Sequence, residues 1–204
     1  MSKLDIINHM LMTNEVASTN SLDSKHPDVL TALQVLDGLN AELQGANTGW
    51  WFNTETDFPL SPDENGEIHL PKNLLSIRRS TARNYSQGER TRYVQRGDRL
   101  YDTQQRTFKI GKAVNVDMVL RLPIDDLPHA AYTYLKHRAA LDMYVVDKTN
   151  QVKISLLTDR TDKAWHNLRI EEIRTRGTNA FDTPAARRMQ FNQSGGRNPN
   201  LIGG

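Results

Sequence analysis

The hydrophobic period of this chain changes twice along its length, and that pattern restricts its fold more than any other feature. Val29, Ala32, Leu33, Leu36, Leu39 and Leu43 return every three or four residues, one apolar stripe of a helix that Pro27 opens and Gly45 and Gly49 close. From residue 50 to 122 the period falls to two, with turn residues interrupting at Ser61–Gly66, Ser86–Gly88, Gly97-Asp98 and Gly111. Strands are expected at 50–54, 67–70, 74–78, 92–95, 99–102, 106–110 and 113–121, with Val114, Val116, Met118 and Leu120 on one face of the last. Connections this short favour antiparallel pairing. After Pro128 the helical period resumes. Leu127, Ala131, Tyr134, Leu135, Leu141 and Val145 share one side of a long helix. Ile154, Leu157, Thr161, Ala164, Trp165 and Leu168 stripe another. The short turn Lys148-Thr149-Asn150 between them predicts antiparallel packing. Leu4, Ile7 and Leu11 mark a further short helix over 3–13.

The fold class that follows is α+β: an antiparallel helical bundle from residues 1–49 and 123–176, with an antiparallel β-rich domain of residues 50–122 inserted. After Gly177 the periodicity stops. Residues 177–204 hold five glycines and two prolines with few aliphatics, and are expected to form an extended tail that orders on a partner. Its spaced anchors are Phe181, Arg187, Arg188, Met189 and Phe191.

The 204 residues are enough for a real core, yet only 37% are hydrophobic and mean hydropathy is −0.63. That balance suits exposed segments or a partner-dependent fold. No run approaches the ~20 apolar residues of a membrane span, and the N-terminus lacks a signal-peptide core. There is no cysteine, which excludes disulfides, thiolate metal sites and a thiol nucleophile.

The search for chemistry is mostly negative. Phosphate-binding Gly-Lys loops, Gly-x-Ser-x-Gly elbows and His-Glu-x-x-His are missing. His129 and His137 share a helix but stand too far apart to chelate one metal. Asp125-Asp126 sits at a helix start, where negative charge is favourable. Neighbours such as Glu171-Glu172 point in different directions on a helix, whereas glycoside hydrolysis needs two carboxyls about 5–9.5 Å apart across a cleft. Arg96-Gly97-Asp98 reads as a hairpin turn. No cofactor is implied.

Net charge is only +2, but its distribution is uneven: seven arginines lie between Arg78 and Arg99 against two acids. They form either a solvated sheet face or a contact surface for acidic neighbours or DNA, with Arg92, Arg96 and Arg99 on the hairpin itself. Arg138 interrupts an apolar helical stripe. Asp142, one turn on, is its natural partner, so Arg138 makes either an internal ion pair or a subunit contact.

Three segments carry a family likeness: Trp50-Trp51-Phe52-Asn53, the run Tyr93-Val-Gln-Arg-Gly-Asp-Arg-Leu-Tyr-Asp102, and Ile124 to Leu127 leading into the long helix. Over roughly Leu30 to Arg174 the chain resembles the tail tubular protein A family of short-tailed bacteriophages. The resemblance implies a structural protein of the virion tail, made in the host cytoplasm, and not an enzyme. It implies a homo-oligomeric ring, a dodecamer, that joins the portal protein to the tail nozzle protein and helps seat the tail fibres. Double-stranded DNA would pass through the bore without sequence preference. By the same resemblance the tail residues named above would meet the portal, and Arg92, Arg96 and Arg99 the nozzle, the fibres or DNA. Two other readings stand beside it: a nucleic-acid-binding module using Arg78–Arg99, and a tail-associated hydrolase.

Overall fold

The computed structural model describes residues 2–45, 49–80, 92–147 and 150–181, with side chains described for all of these except 145–147 and 178–181. It is a mixed α+β chain. In order, α1 (Lys3–Thr13), α2 (Pro27–Gly45), β1 (Thr54–Leu60), β2 (Leu74–Arg79), β3 (Tyr93–Arg96), β4 (Arg99–Asp102), β5 (Val114–Leu120), α3 (His129–Asp147) and α4 (Gln151–Phe181) follow one another. A 3-10 turn at Ile124–Asp126 leads into α3.

Helix α1 begins where local chemistry dictates. Ser2 caps it, its hydroxyl accepting from the Asp5 N–H while the Asp5 carboxylate accepts from the Ser2 N–H, a reciprocal capping box. Ile6, Ile7, Met10 and Leu11 are fully buried. Helix α2 starts at Pro27 as expected. Helix α3 is the hub, in contact with α1, α2 and α4. Flanked on several sides, it buries Tyr132, Ala139, Ala140, Met143 and Tyr144 besides the expected Ala131, Leu135 and Leu141. One apolar cluster joins α1, α2 and α3 with Trp50, Ile124, Leu127 and Leu168.

A second cluster belongs to the strands: Leu60, Ile68, Leu70, Tyr93, Leu100, Val114, Val116 and Met118, with Leu120 packed against it. Strand β5 is central in the order β1-β5-β2, antiparallel to both neighbours (Thr54 opposite Val119, Arg79 opposite Val116). The hairpin β3–β4 pairs Tyr93 with Asp102 and Arg96 with Arg99 around Gly97. Backbone bonds from Leu70 N to Asp98 O (2.8 Å) and Leu100 N to Ile68 O (3.0 Å) stitch it to the 66–70 segment.

Three expectations need correction. Residues 50–54 do not form a strand. Trp50–Asn53 is a turn, and β1 starts at Thr54, because the Trp50 indole packs inward on the helices. Segments 67–70 and 106–110 make isolated bridges only (Glu67 to Lys109, His69 to Arg99, Asp102 to Thr107). Helix α4 runs through Gly177 to Phe181, so the extended tail cannot begin at 177. Gly costs about 1 kcal/mol in a helix interior, an amount that the anchored turn before it can offset. Residues 182–204 lie outside the described residues.

Two glycines give opposite predictions. Gly49 has φ +78°, and a Cβ there would lie 2.5 Å from Thr54 Oγ1 and 2.7 Å from Val119 Cγ2. Gly49→Ala should therefore cost about 2–3 kcal/mol in denaturant unfolding. Gly38, inside α2 with open space around it, should gain roughly 0.5–1 kcal/mol as Gly38→Ala. Equal effects at the two sites would contradict this reading of the backbone.

Candidate functional site

The two apolar clusters meet where the chain leaves α2 and where it returns from β5, and polar side chains close both crossings. Gln44 is fully buried. Its Nε2 donates to Leu122 O (2.9 Å) and Asn40 Oδ1 (2.8 Å), while its Oε1 accepts from Leu122 N (2.7 Å). The side-chain amide thus pairs with the returning strand as a neighbouring backbone would. Asn53, also buried, accepts from Trp50 N (2.7 Å), donates to Gln44 O (3.0 Å) and accepts Leu120 N on its own carbonyl (2.8 Å). The Trp50 indole N–H donates to Leu43 O at 2.7 Å. Its ring lies nearly parallel to Phe52 and edge-on to Trp165 of α4. The family-like Trp50–Asn53 segment is the junction itself.

One carboxylate of each pair weighed for hydrolysis, Glu172 and Asp125, is committed to this framework. Glu172 is buried, accepts from Trp51 N (3.2 Å) and pairs with Arg176, whose Nη2 donates to Gly49 O at 2.7 Å. Asp125 Oδ1 accepts from Lys3 N (2.9 Å), tying the turn before α3 to the start of α1. Among the described residues, no three of His, Cys, Asp or Glu gather as a metal set.

The arginines on the hairpin serve its interior contacts. Arg92 is mostly buried, and its Nε donates to the buried Asp102 at 2.8 Å. Burial pushes the Asp102 carboxyl up, but Arg92 and the N–H groups of Gln105 and Gln104 outweigh it and hold the pKa below the usual value. Arg96 stacks over Tyr101 (3.7 Å to the ring centre). Arg99 stacks over Phe108 (4.3 Å) and bonds Glu67 at 2.9 Å. On β2, Arg78 reaches the buried Asp117 at 3.4 Å, and that carboxylate accepts from Asp57 N (3.0 Å) at the bulge in β1. Arg83 and Arg90 lie outside the described residues. Arg96 and Arg99 keep an exposed edge, while Arg92 offers little.

Arg138 Nε stands 2.9 Å from Asp142 Oδ1, without the alignment of a hydrogen bond, and both side chains are partly exposed. Arg138 also lines a cleft of about 140 Å³ with Leu39, Glu42, Leu43, Tyr134 and Trp165. Of the tail anchors, Phe181 falls in the last turn of α4, and Arg187, Arg188, Met189 and Phe191 lie outside the described residues. The sequence did not single out the exposed apolar side chains Val152, Leu156 and Ile173 on the outer side of α4. They fall off its apolar stripe, and a period calculation reads them as noise.

Comparison with known proteins follows this geometry closely in extent. The model of the family described as tail tubular protein matches residues 4–178, nearly everything from α1 to the end of α4. The tail tubular protein A of Klebsiella phage KP34 is 23% identical over 190 residues, covering 93% of this chain and 97% of that one. No helix among the described residues is long and apolar enough to cross a membrane.

One contact gives a pH prediction. His9 of α1 and His137 of α3 meet edge to face, ring centres 5.7 Å apart. Burial, then Lys136, His137 and Arg160, push His9 down to about 4; burial, then Lys136 and Arg160, lower His137. The folded state therefore binds protons less readily than the unfolded chain between pH 6.5 and 4. Stability should be complete above pH 6.5 and fall as the pH drops toward 4. The loss at His9 should be on the order of 1–2 kcal/mol after allowance for solvent screening. In His9→Gln the slope over this window should flatten in urea titrations, and an unchanged slope would contradict the assignment.

Proposed function

The chain belongs to the tail tubular protein family and is thereby a structural protein of the virion tail, and we propose that it forms the adaptor ring that joins the portal to the tail nozzle and fibres. The observation that carries this reading is the pair of separate apolar clusters fixed to each other at one buried junction. A link between unlike neighbours needs two faces held at a set angle. We assign residues 1–49 and 123–181 to a helical domain and 50–122 to a β-rich domain that together supply those faces. Subunits repeat around a closed ring, a dodecamer, and DNA passes through the bore. The tail, with Arg187, Arg188, Met189 and Phe191, runs along the portal. The exposed Arg96 and Arg99 edge of the hairpin faces the nozzle or fibres. Arg138 and Asp142 meet a neighbouring subunit in this reading, which their partial exposure and Arg138's place beside the α2–α3–α4 cleft support.

The test is electron microscopy of the full-length protein mixed with the portal of its own phage. A stacked, rotationally symmetric ring is expected, and portal particles left bare beside monomeric protein would reject the proposal. Truncation after residue 181 should keep the ring mass but reduce portal occupancy at least tenfold. Unchanged occupancy would remove the tail from the portal contact.

A further inference from the structure

The cations without an intramolecular partner are not the ones that cluster in the sequence. Of the clustered arginines, Arg78, Arg92, Arg96 and Arg99 are spent on Asp117, Asp102, Tyr101, Glu67 and Phe108. On the helical side, Lys136, Arg160 and Lys163 have no carboxylate within ion-pair distance among the described residues. Arg160 and Lys163 line a groove of about 320 Å³ between α3 and α4, together with Thr133, His137, Ala164 and Asn167. Every polar group lining it can donate a hydrogen bond, and none is an acid.

Two further observations mark the place. His137 Nδ1 and His9 Nε2 are buried without a hydrogen-bond partner. Both imidazoles feel the positive field of Lys136 and Arg160. Positive charge is concentrated here: Asp5 feels Lys136 at a distance, but among the described residues no carboxylate stands within ion-pair distance of Lys136, Arg160 or Lys163. An anion entering the groove would relieve that repulsion. Guanidinium, ammonium, hydroxyl and amide donors together suit the several oxygens of a phosphate group.

We propose that the groove between α3 and α4 is a phosphate-binding site, and that its ligand is the phosphodiester backbone of duplex DNA. Carboxylates on a protein partner fit less well. Protein interfaces centre on buried aromatic or aliphatic anchors, and this groove offers only Ala164. Contacts to phosphate alone carry no sequence information, so a duplex can move past them. The inference rests on the reading that DNA passes through the assembled protein, and it names where the helical domain would touch it.

The experiment uses the full-length protein, with anisotropy of a labelled duplex of arbitrary sequence at several salt concentrations. A second arm titrates inorganic phosphate while NMR follows the His9 and His137 rings. The variant is Arg160→Gln with Lys163→Gln, both exposed. The charge-matched control is Lys72→Gln with Lys112→Gln, and circular dichroism checks folding. In the groove variant, affinity should fall at least tenfold at low salt. The salt dependence should become shallower by about two units, roughly 0.9 for each lost phosphate contact. The control should keep its affinity within about twofold, and phosphate should move the His137 titration toward its ordinary range in the unaltered protein. An equal loss in both variants would reduce the effect to net charge and overturn the proposal. Phosphate binding without duplex binding would overturn the DNA assignment. If neither binds and the groove variant loses assembled mass instead, the groove holds a neighbour's carboxylates and the proposal fails. Assembled mass is read on the same samples, so failure of the ring and failure of the groove are told apart.

Discussion

The fold depends on one buried side-chain amide. Gln44 ends α2 and bonds both the N–H and the C=O of Leu122, where the chain comes back from β5. A chain that leaves a helical layer to build a sheet and then returns must pass its backbone twice through the boundary between two apolar clusters. Peptide groups there have lost water and cannot all join a helix or a ladder. Gln44 and Asn53 supply the missing partners, and Trp50 fills the space between while satisfying Leu43 O. Glu172 and Arg176 add α4 to the same point. Neither cluster can rotate against the other without leaving buried polar groups unpaired. For a virion tail protein, this is where stiffness between the two parts originates.

Electrostatics divides along the same boundary. In the β-rich part, arginines are structural: buried Asp102 and Asp117 hold Arg92 and Arg78 and organise the turns around them. Removing either acid would strand a cation and release backbone donors together. In the helical part, Lys136 of α3 and Arg160 and Lys163 of α4 have no carboxylate within ion-pair distance among the described residues. Clustering of charge in sequence therefore gives a poor guide to charge available for binding. What decides availability is whether a buried acid lies across the sheet.

Much of the architecture was legible because local signals agreed. Leu4, Ile7 and Leu11 mark α1, Pro27 the start of α2, and alternation in Val114, Val116, Met118 and Leu120 the inner face of β5. The hairpin at Gly97 followed from alternating segments on either side of a Gly-Asp turn. Where the reading failed, tertiary contacts overrode propensity. Trp50, Trp51 and Phe52 have strong β preference, but an indole bonded to Leu43 O and facing Trp165 forces a turn. Helix α3 was read as one-sided, whereas contact with three helices buries it on nearly every side. Gly177 signals a helix end, yet α4 continues because Glu172 and Arg176 anchor the preceding turn. The groove of Arg160, Lys163 and His137 joins residues of two helices, and no spacing within one chain segment could have revealed it.

Amide hydrogen exchange at the junction tests the central claim most directly, comparing the native chain with Gln44→Leu, which keeps volume and removes both bonds to Leu122. With Gln44 present, the Leu120 and Leu122 amides should exchange only as fast as the most protected amides of α3, through global unfolding. With leucine there, Leu120 and Leu122 should exchange at least tenfold faster through local opening, while Leu135 and Val116 keep protection characteristic of their own clusters. If Leu122 stays as protected in the variant as in the native chain, the amide does not hold the two parts together and the account of a rigid two-ended link is wrong.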